Sequence, residues 1–238
     1  MSSLMMNGIG HSGDAIFENL QAYWKLEEAN GQTRVDSYVN GHDLTDNFGV
    51  ESAVGKIGTA AHAANANEHL SVADHADLQP TTAFTLSLWV NFDALDGNRY
   101  IAEKGTDSGN RCIIMHARST GAIRCYISGD GSAIPQINTA ASQFTTDTWY
   151  HVVFWYDGGQ AVSNNRYKIY KDNVQIANAW SSPLPTSLND TDHAFTLSSS
   201  GSTLKGKLDE VGFWKRALTT AEIENLYNAG RGRSLFTS

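Results

Sequence analysis

FTLSLWVNF (residues 84–92) decides the fold class of this chain. Its apolar residues alternate with four others, Thr85, Ser87, Trp89 and Asn91. A period of two places alternate side chains on opposite faces, as in a β-strand, whereas a helix would require a period near 3.6. The stretch therefore predicts a strand that turns one face toward an apolar core.

The same alternation recurs along the chain and predicts further strands. It is found in LQAYWKLE (20–27), RCIIMHA (111–117), AIRCYIS (122–128), TWYHVVFWYDG (148–158), AFTLSS (194–199) and KGKLDEVGFWK (205–215). RYKIYKDNVQIANA (166–179) predicts a hairpin that turns at Asp172-Asn173, because Asp and Asn tolerate the positive φ of tight turns. Many strands with almost no helix are typical of a sandwich or jelly roll.

One short helix is predicted near the end of the chain. Thr219 and Glu222 have the spacing of a capping box, in which each side chain accepts a hydrogen bond from the other residue's backbone. Ile223, Leu226 and Tyr227 then share one face at helical spacing. Gly230 stands where a helix-ending glycine is expected. We expect this helix to cover the sandwich.

Two adjacent carboxylates, Asp209 and Glu210, lie in the strand before that helix. Apolar residues occur on both faces of this strand, so at least one carboxylate is expected to be partly buried. A buried carboxylate needs a compensating partner. A bound cation and a salt bridge, with Lys205, Lys207 or Arg216 nearby in the chain, are both open on this pattern.

The bulk composition excludes some classes of partner. The 238 residues carry a formal charge of −8, and we find no basic run, so a nucleic-acid partner is not expected. No apolar run reaches the roughly 18 residues that a membrane helix needs, so membrane insertion is not expected. The N-terminus lacks the pattern of a secretory signal peptide. Cys112 and Cys125 flank a probable turn, and the pattern leaves open two half-buried thiols or a disulfide.

A series of motifs resembles the laminin-G-like domains of the concanavalin A-like lectin/glucanase superfamily. They are AYWKLEEANG (22–31), DSYVNGHDLT (36–45), VGKIGTAA (54–61), EHLSVAD (68–74), FTLSLWVNF (84–92), TWYHVVFWYDG (148–158), YKIYKDNVQ (167–175) and GKLDEVGFWKRALTTAEIENLYNAG (206–230). The resemblance implies an all-β, two-sheet antiparallel jelly-roll sandwich with one short C-terminal helix. We expect a flexible N-terminal arm at 1–18, the laminin-G-like domain at 19–230 and a C-terminal tail at 231–238.

The resemblance also implies a structural Ca²⁺ ion. Its ligands would be the carboxylates of Asp36 and Asp209, with backbone carbonyls near Asn40 and His42. Asp43 and Asp46 are alternative ligands. Loops rich in Asp, Asn and Gly suit this ion, because Ca²⁺ takes six to eight oxygen ligands.

Catalysis is not predicted. Laminarinase-like members of this superfamily carry Glu-x-Asp-x-x-Glu along one strand, and this sequence has no such run. It also has no G-x-S-x-G elbow and no H-E-x-x-H motif. A glycoside hydrolase is therefore the weakest of the alternatives.

Binding is the predicted role. Five tryptophans lie in alternating strands and are expected to pack, whereas Trp180 and Tyr38 lie in loop-like segments and are the predicted ligand contacts. We expect a non-catalytic, surface-displayed module that binds glycans or neighbouring proteins. The alternative is a structural or decoration protein that contacts subunits of a virion or larger particle. Under either reading, we expect this protein to be extracellular or on a virion surface.

Overall fold

The computed structural model describes residues 14–105, 110–176 and 178–236, without the side chains of 178–180. The strands are β1 (Leu20–Trp24), β2 (Thr45–Asn47), β3 (Glu51–Val54), β4 (Thr59–Ala63), β5 (His69–Val72), β6 (Ala83–Phe92), β7 (Arg99–Gly105), β8 (Arg111–Ala117), β9 (Ile123–Ile127), β10 (Gln136–Thr139), β11 (Trp149–Asp157), β12 (Tyr167–Lys171), β13 (Val174–Gln175), β14 (Asn178–Trp180), β15 (Phe195–Ser198) and β16 (Gly206–Trp214). One α-helix, α1 (Thr220–Tyr227), and short 3-10 turns complete the described fold.

The strands form two antiparallel sheets, which confirms the predicted sandwich. Sheet 1 has the order β13-β12-β11-β6-β16-β4-β3, and β1 pairs with β16. Sheet 2 has the order β14-β10-β9-β8-β7-β15-β5-β2. No helix in the described residues is long and apolar enough to cross a membrane.

The main core is apolar and includes inward-facing residues of both sheets. The alternate residues of β6 from Phe84 to Phe92 are all fully buried there, as the period of two predicts. Cys112 and Cys125 are free, buried thiols in this core, so no disulfide joins them. Burial raises the pKa of each thiol to about 12.

Helix α1 has the predicted capping box. Oγ1 of Thr219 accepts from the Glu222 amide at 3.3 Å, and the Glu222 carboxylate accepts from the Thr219 amide at 2.8 Å. The helix ends earlier than expected, because Asn228 adopts the left-handed conformation (φ 49°) that was predicted for Gly230. Asn is the residue that most often replaces glycine at such a position.

A second apolar cluster lies outside the main core, on the outer face of sheet 1. Ile223 and Leu226 of α1 pack there against strand residues and chain ends. Ile16 belongs to this cluster and accepts the indole N–H of Trp214 at 2.6 Å. Leu235 is also buried in it. Parts of the segments predicted as arm and tail therefore pack on the domain, and residues 1–13 and 237–238 lie outside the described residues.

Candidate functional site

Asp36 is a buried carboxylate that holds its own loop. Oδ1 accepts the backbone N–H groups of Tyr23 and Tyr38, each at 2.9 Å. Oδ2 accepts the N–H of His42 at 3.0 Å. Three backbone donors compensate the negative charge and attach the 36–42 turn to β1.

One of the other predicted calcium ligands near Asp36, the backbone carbonyl of His42, also has a partner. The His42 carbonyl accepts the indole N–H of Trp24 at 2.7 Å. The Asn40 side chain donates to the carbonyl of Gln21 at 2.9 Å.

The two alternative calcium ligands, Asp43 and Asp46, also accept hydrogen bonds from backbone amides. Oδ1 of Asp43 accepts the Asp36 amide at 2.9 Å. Oδ1 of Asp46 accepts the amides of Gly49 and Val50, both at 2.9 Å, and its carboxylate lies 3.7 Å from Arg34.

Asp209 is fully buried and is held by a different loop. Its Oδ2 accepts the N–H groups of Lys56 and Ile57, at 2.7 and 2.9 Å, from the connection between β3 and β4. Oδ1 has no hydrogen-bond partner among the described residues. Burial, with smaller contributions from the neighbouring carboxylates of Glu210 and Glu27, raises the pKa of Asp209 to about 8.

Glu210 is buried beside Asp209 because β16 contains a bulge. The register of β16 against β6 shifts between Asp209 and Gly212, and Glu210 has a positive φ of 49°. A bulge breaks the strict alternation of side chains, so two adjacent carboxylates can both be buried. The Tyr23 hydroxyl donates to Oε2 of Glu210. Burial raises the pKa of Glu210 as well.

The salt bridge left open by the sequence does not involve the three expected cations. Lys205 pairs with Asp96, Lys207 pairs with Asp93, and Arg216 pairs with Glu222.

The predicted calcium site stays a prediction. Asp36 and the His42 carbonyl already accept N–H donors, so their compensation does not depend on a cation. The buried, unpartnered Oδ1 of Asp209 is the atom that fits a cation best.

The two predicted ligand contacts lie on different sheets. Tyr38 is half-buried and its ring packs near Phe236, with centroids 6.3 Å apart, so it contributes to the cover of sheet 1. Trp180 lies in β14, where its Cα pairs with Ile137, and its side chain is outside the described part of the structure. Their roles as ligand contacts stay predictions.

Sheet 2 carries two cross-strand rows on the face opposite the core, which we call the polar face. The first row is Asn138, Arg124, His116 and Tyr100, and the second is Gln136, Tyr126, Ile114, Glu103 and Thr196. The motifs AIRCYIS and RCIIMHA contain the signal for it, because Arg124 and Tyr126 alternate with core residues. Sequence reasoning missed the rows because the register between strands is needed to align them.

Rings and hydrogen bonds connect the polar face. The ring of His116 stacks between Tyr100 and Tyr126, at centroid distances of 5.2 and 5.6 Å. Nε of Arg124 donates to Oδ1 of Asn138 at 2.7 Å, and Nη1 donates to the Tyr126 hydroxyl at 3.3 Å. Aromatic and polar groups thus lie side by side on one face, where His116, Ile114 and Tyr100 are buried and Tyr126 and Arg124 are half-exposed.

A groove of about 350 Å³ opens where the second row begins. Pro135, Pro183, Pro185 and Asp130 line it, and Gln136 follows Pro135 directly in the chain. The backbone amides of Ala133 and Ser132 donate to Asp130 at 2.8 and 2.9 Å, and they lower the pKa of this exposed carboxyl. The groove therefore presents an ionised carboxylate beside apolar proline rings.

Comparison with solved structures shows shared folds at low identity. The binding domain of Paraclostridial Mosquitocidal Protein 1 has a TM-score of 0.70 at 17% identity, over 89% of this chain and 52% of that one. Domain 4 of the arabinanase AbnA from Geobacillus stearothermophilus, in complex with arabinotriose, has a TM-score of 0.61 at 17% identity, over 90% of this chain and 98% of that one. The botulinum neurotoxin serotype D ligand binding domain, in complex with N-acetylneuraminic acid, has a TM-score of 0.64 at 10% identity, over 88% and 50%.

The chain spans about half the length of the two toxin domains. No curated protein matches its sequence. A family model for laminin G-like domains matches residues 64–224, which is more than half of the chain. This protein therefore belongs to the concanavalin A-like lectin/glucanase superfamily, as a laminin G-like member.

Proposed function

We propose that this protein is a non-catalytic carbohydrate-binding module whose glycan lies along the polar face of sheet 2 and in the adjoining groove. The observation that carries the proposal is the continuity of the two. The row that starts at Gln136 and Tyr126 begins where the groove lined by Pro135 opens. A groove of this size is in the range of small-ligand sites.

The chemistry of the polar face suits a sugar. Pyranose rings have apolar C–H faces that pack on aromatic rings, and their hydroxyls need donors and acceptors at fixed positions. Tyr126 supplies a ring and Arg124 a cationic donor, and both are half-exposed. Gln136, Asn138 and the Asp130 carboxylate add polar groups along the same path.

The similar structures support the same class of ligand. Two of them hold a sugar, arabinotriose or N-acetylneuraminic acid, and the AbnA domain matches over nearly its whole length. At these identities the likeness shows only the fold, so the ligand class is carried to this chain as part of the proposal.

The carboxylates near the face give no support for a glycosidase pair. Glycosidases use two carboxyl groups across the scissile bond, one of them an acid with a raised pKa. Glu103 is the one carboxylate in the two rows, and the pKa of Asp130 in the groove is lowered. This supports a binding role without catalysis. Display on a virion or particle and a structural calcium ion stay predictions from the sequence.

A glycan array followed by calorimetric titration tests the proposal. We expect the intact protein to bind a defined set of glycans, and Tyr126→Ala to weaken the strongest of them at least tenfold. Phe48→Ala is the matched control, because Phe48 is an exposed aromatic side chain (72%) outside the polar face and the groove. Absence of binding to any glycan, or equal affinity in Tyr126→Ala, would overturn the proposal.

Two additional arms keep the sequence-based predictions testable. Loss of binding in Trp180→Ala or Tyr38→Ala, with Tyr126→Ala unaffected, would move the site to those residues. A melting curve with a chelator tests for calcium. If a structural ion is bound at Asp209, its removal should lower the melting temperature.

A further inference from the structure

We infer that His42, His75 and Asp77 form a binding site for a divalent transition metal of the zinc class. His42 lies in the turn that Asp36 holds, and the other two lie after β5, where a short 3-10 turn (Ala76–Leu78) begins. The site shares no residue with the polar face or the groove, so the inference is independent of the proposed function.

The three donor atoms already surround a point that an ion could occupy. Nε2 of His42 lies 3.0 Å from Oδ2 of Asp77, and Nδ1 of His75 lies 3.3 Å from the same oxygen. All three donor atoms are within 4.8 Å of one another. Zinc binds nitrogen and carboxylate oxygen at roughly 2.0–2.2 Å, which sets ligand-to-ligand distances near 3.3–3.6 Å in a tetrahedron. The two distances to the Asp77 oxygen are close to this spacing, and a turn of the exposed His75 ring would bring its nitrogen to the ion.

The donor set selects the class of metal. Two imidazoles and one carboxylate are typical ligands of zinc and its neighbours among the transition metals, whereas calcium and magnesium require oxygen donors. This site therefore differs in kind from the predicted calcium site. His42 was assigned to calcium through its backbone carbonyl, and here its imidazole ring is the donor.

The least mobile donor is fixed by the fold. The backbone of His42 donates to Asp36 and its carbonyl accepts the indole N–H of Trp24. Only about 6% of the His42 side chain is exposed. Burial and two backbone hydrogen bonds hold this ring, and the ring of His75 lies against it at a centroid distance of 4.6 Å. A fixed donor lowers the entropic penalty of binding a metal.

The second histidine has a suitably placed nitrogen and room to move. The amide of Asp77 donates to Nδ1 of His75 at 3.2 Å, so this nitrogen is placed to use a lone pair. A metal would replace this long hydrogen bond. The His75 side chain is 54% exposed and can turn toward the ion without repacking a core. Asp77 is also partly exposed, which leaves a fourth coordination position open to water.

Binding would join two separate segments of the chain. The ion would tie the loop that carries His42 to the connection between β5 and β6. One positive charge lies close by, because Nζ of Lys215 donates to the Ala76 carbonyl at 3.0 Å. Removing that charge is expected to strengthen metal binding.

Zinc titration of the tag-free full chain, by calorimetry after chelator treatment, tests the inference. We expect one equivalent of zinc to bind and to raise the melting temperature, and calcium not to compete. His75→Ala and Asp77→Asn should each weaken zinc at least tenfold, and Lys215→Met should strengthen it. His69→Ala is the matched control, because this histidine lies in β5 and outside the cluster; this variant should bind zinc as the unaltered chain does. Both weakening substitutions are at partly exposed side chains, and circular dichroism verifies that the variants fold.

Two results would overturn the inference. One is the absence of zinc binding, which would mean that His42 and Asp77 form only a hydrogen-bonded pair. The other is zinc binding of equal strength in His75→Ala, which would place the ion elsewhere.

Discussion

The outer faces of the two sheets differ in what covers them and in which residues they carry. On sheet 1, α1 and segments near both chain ends cover large apolar side chains, among them Trp155 and Trp214. On sheet 2, the equivalent face carries Arg124, Tyr126 and Glu103 in half-exposed positions. A face that is covered by the chain's own apolar residues is used for stability. The face of sheet 2 keeps charged and aromatic groups half-exposed around the buried His116 and Ile114, and it is the face on which we propose that a glycan binds.

The hydrogen bonds of the tryptophans support this contrast. The indole N–H of Trp155 donates to the Leu218 carbonyl at 2.9 Å, and that of Trp214 donates to the Ile16 carbonyl at 2.6 Å. Both acceptors belong to the covering segments. Both rings therefore pack in the protein interior and have their indole N–H groups hydrogen-bonded, as their alternating positions in the strands predicted.

The largest expected effect comes from the covered face. Trp214→Ala should lower the free energy of unfolding by about 3–5 kcal/mol, because it removes a fully buried ring and one hydrogen bond. Tyr126→Ala on the polar face should lower it by much less. Denaturant unfolding of the two variants measures the difference. Equal losses would mean that the polar face is a second core, and the contrast would fail.

The pH dependence of the free energy of unfolding tests whether Asp209 is protonated in the folded protein. Burial raises the pKa of Asp209 from the ordinary value near 3.9 to about 8. Between these two pH values, the carboxyl takes up a proton when the chain folds. The contribution of Asp209 to stability is then fully present below that ordinary pKa and is lost as the pH rises through 8. Asp209→Asn removes the titration and keeps an acceptor for the Lys56 and Ile57 amides.

We expect Asp209→Asn to gain roughly 2 kcal/mol relative to the unaltered protein between pH 6.5 and 8. Chemical unfolding at several pH values, without divalent cations, measures this gain. A constant difference across that range would show that Asp209 is ionised in the folded protein. Addition of calcium would be expected to reverse the effect if the ion binds at Oδ1.

A smaller effect is expected at the start of the covering helix. Thr219→Ala removes the side-chain acceptor of the capping box and should cost about 1 kcal/mol. Thr220→Ala is the matched control, because Thr220 is the first helical residue and does not cap. Thermal unfolding compares the two. Equal stability of the two variants would mean that packing, and not the cap, determines where α1 begins.

Local patterns predicted the fold well, and tertiary contacts account for what they missed. The alternation in FTLSLWVNF and the spacing of Thr219 and Glu222 are local, so they identified a strand and a helix start. The partners of Asp36 are backbone amides brought in by a turn, which no spacing rule gives. The bulge in β16 placed Glu210 beside Asp209 against the period of two.

The candidate sites depend on contacts between distant parts of the chain. The polar face requires the register of β7 to β10, although Arg124 and Tyr126 alternate with core residues in the sequence. The cluster of His42, His75 and Asp77 joins a loop to a turn more than thirty residues later. Scattered histidines gave no motif, because their proximity is a product of folding.

The most direct test of the central claim is to map where a glycan binds. Backbone amide chemical shifts of the 25.9 kDa chain are recorded by NMR as the strongest array ligand is added. We expect the largest chemical-shift changes to cluster in β8, β9 and β10 and in the loop that carries Asp130. Shifts that cluster instead in α1 and the covered face of sheet 1 would contradict it.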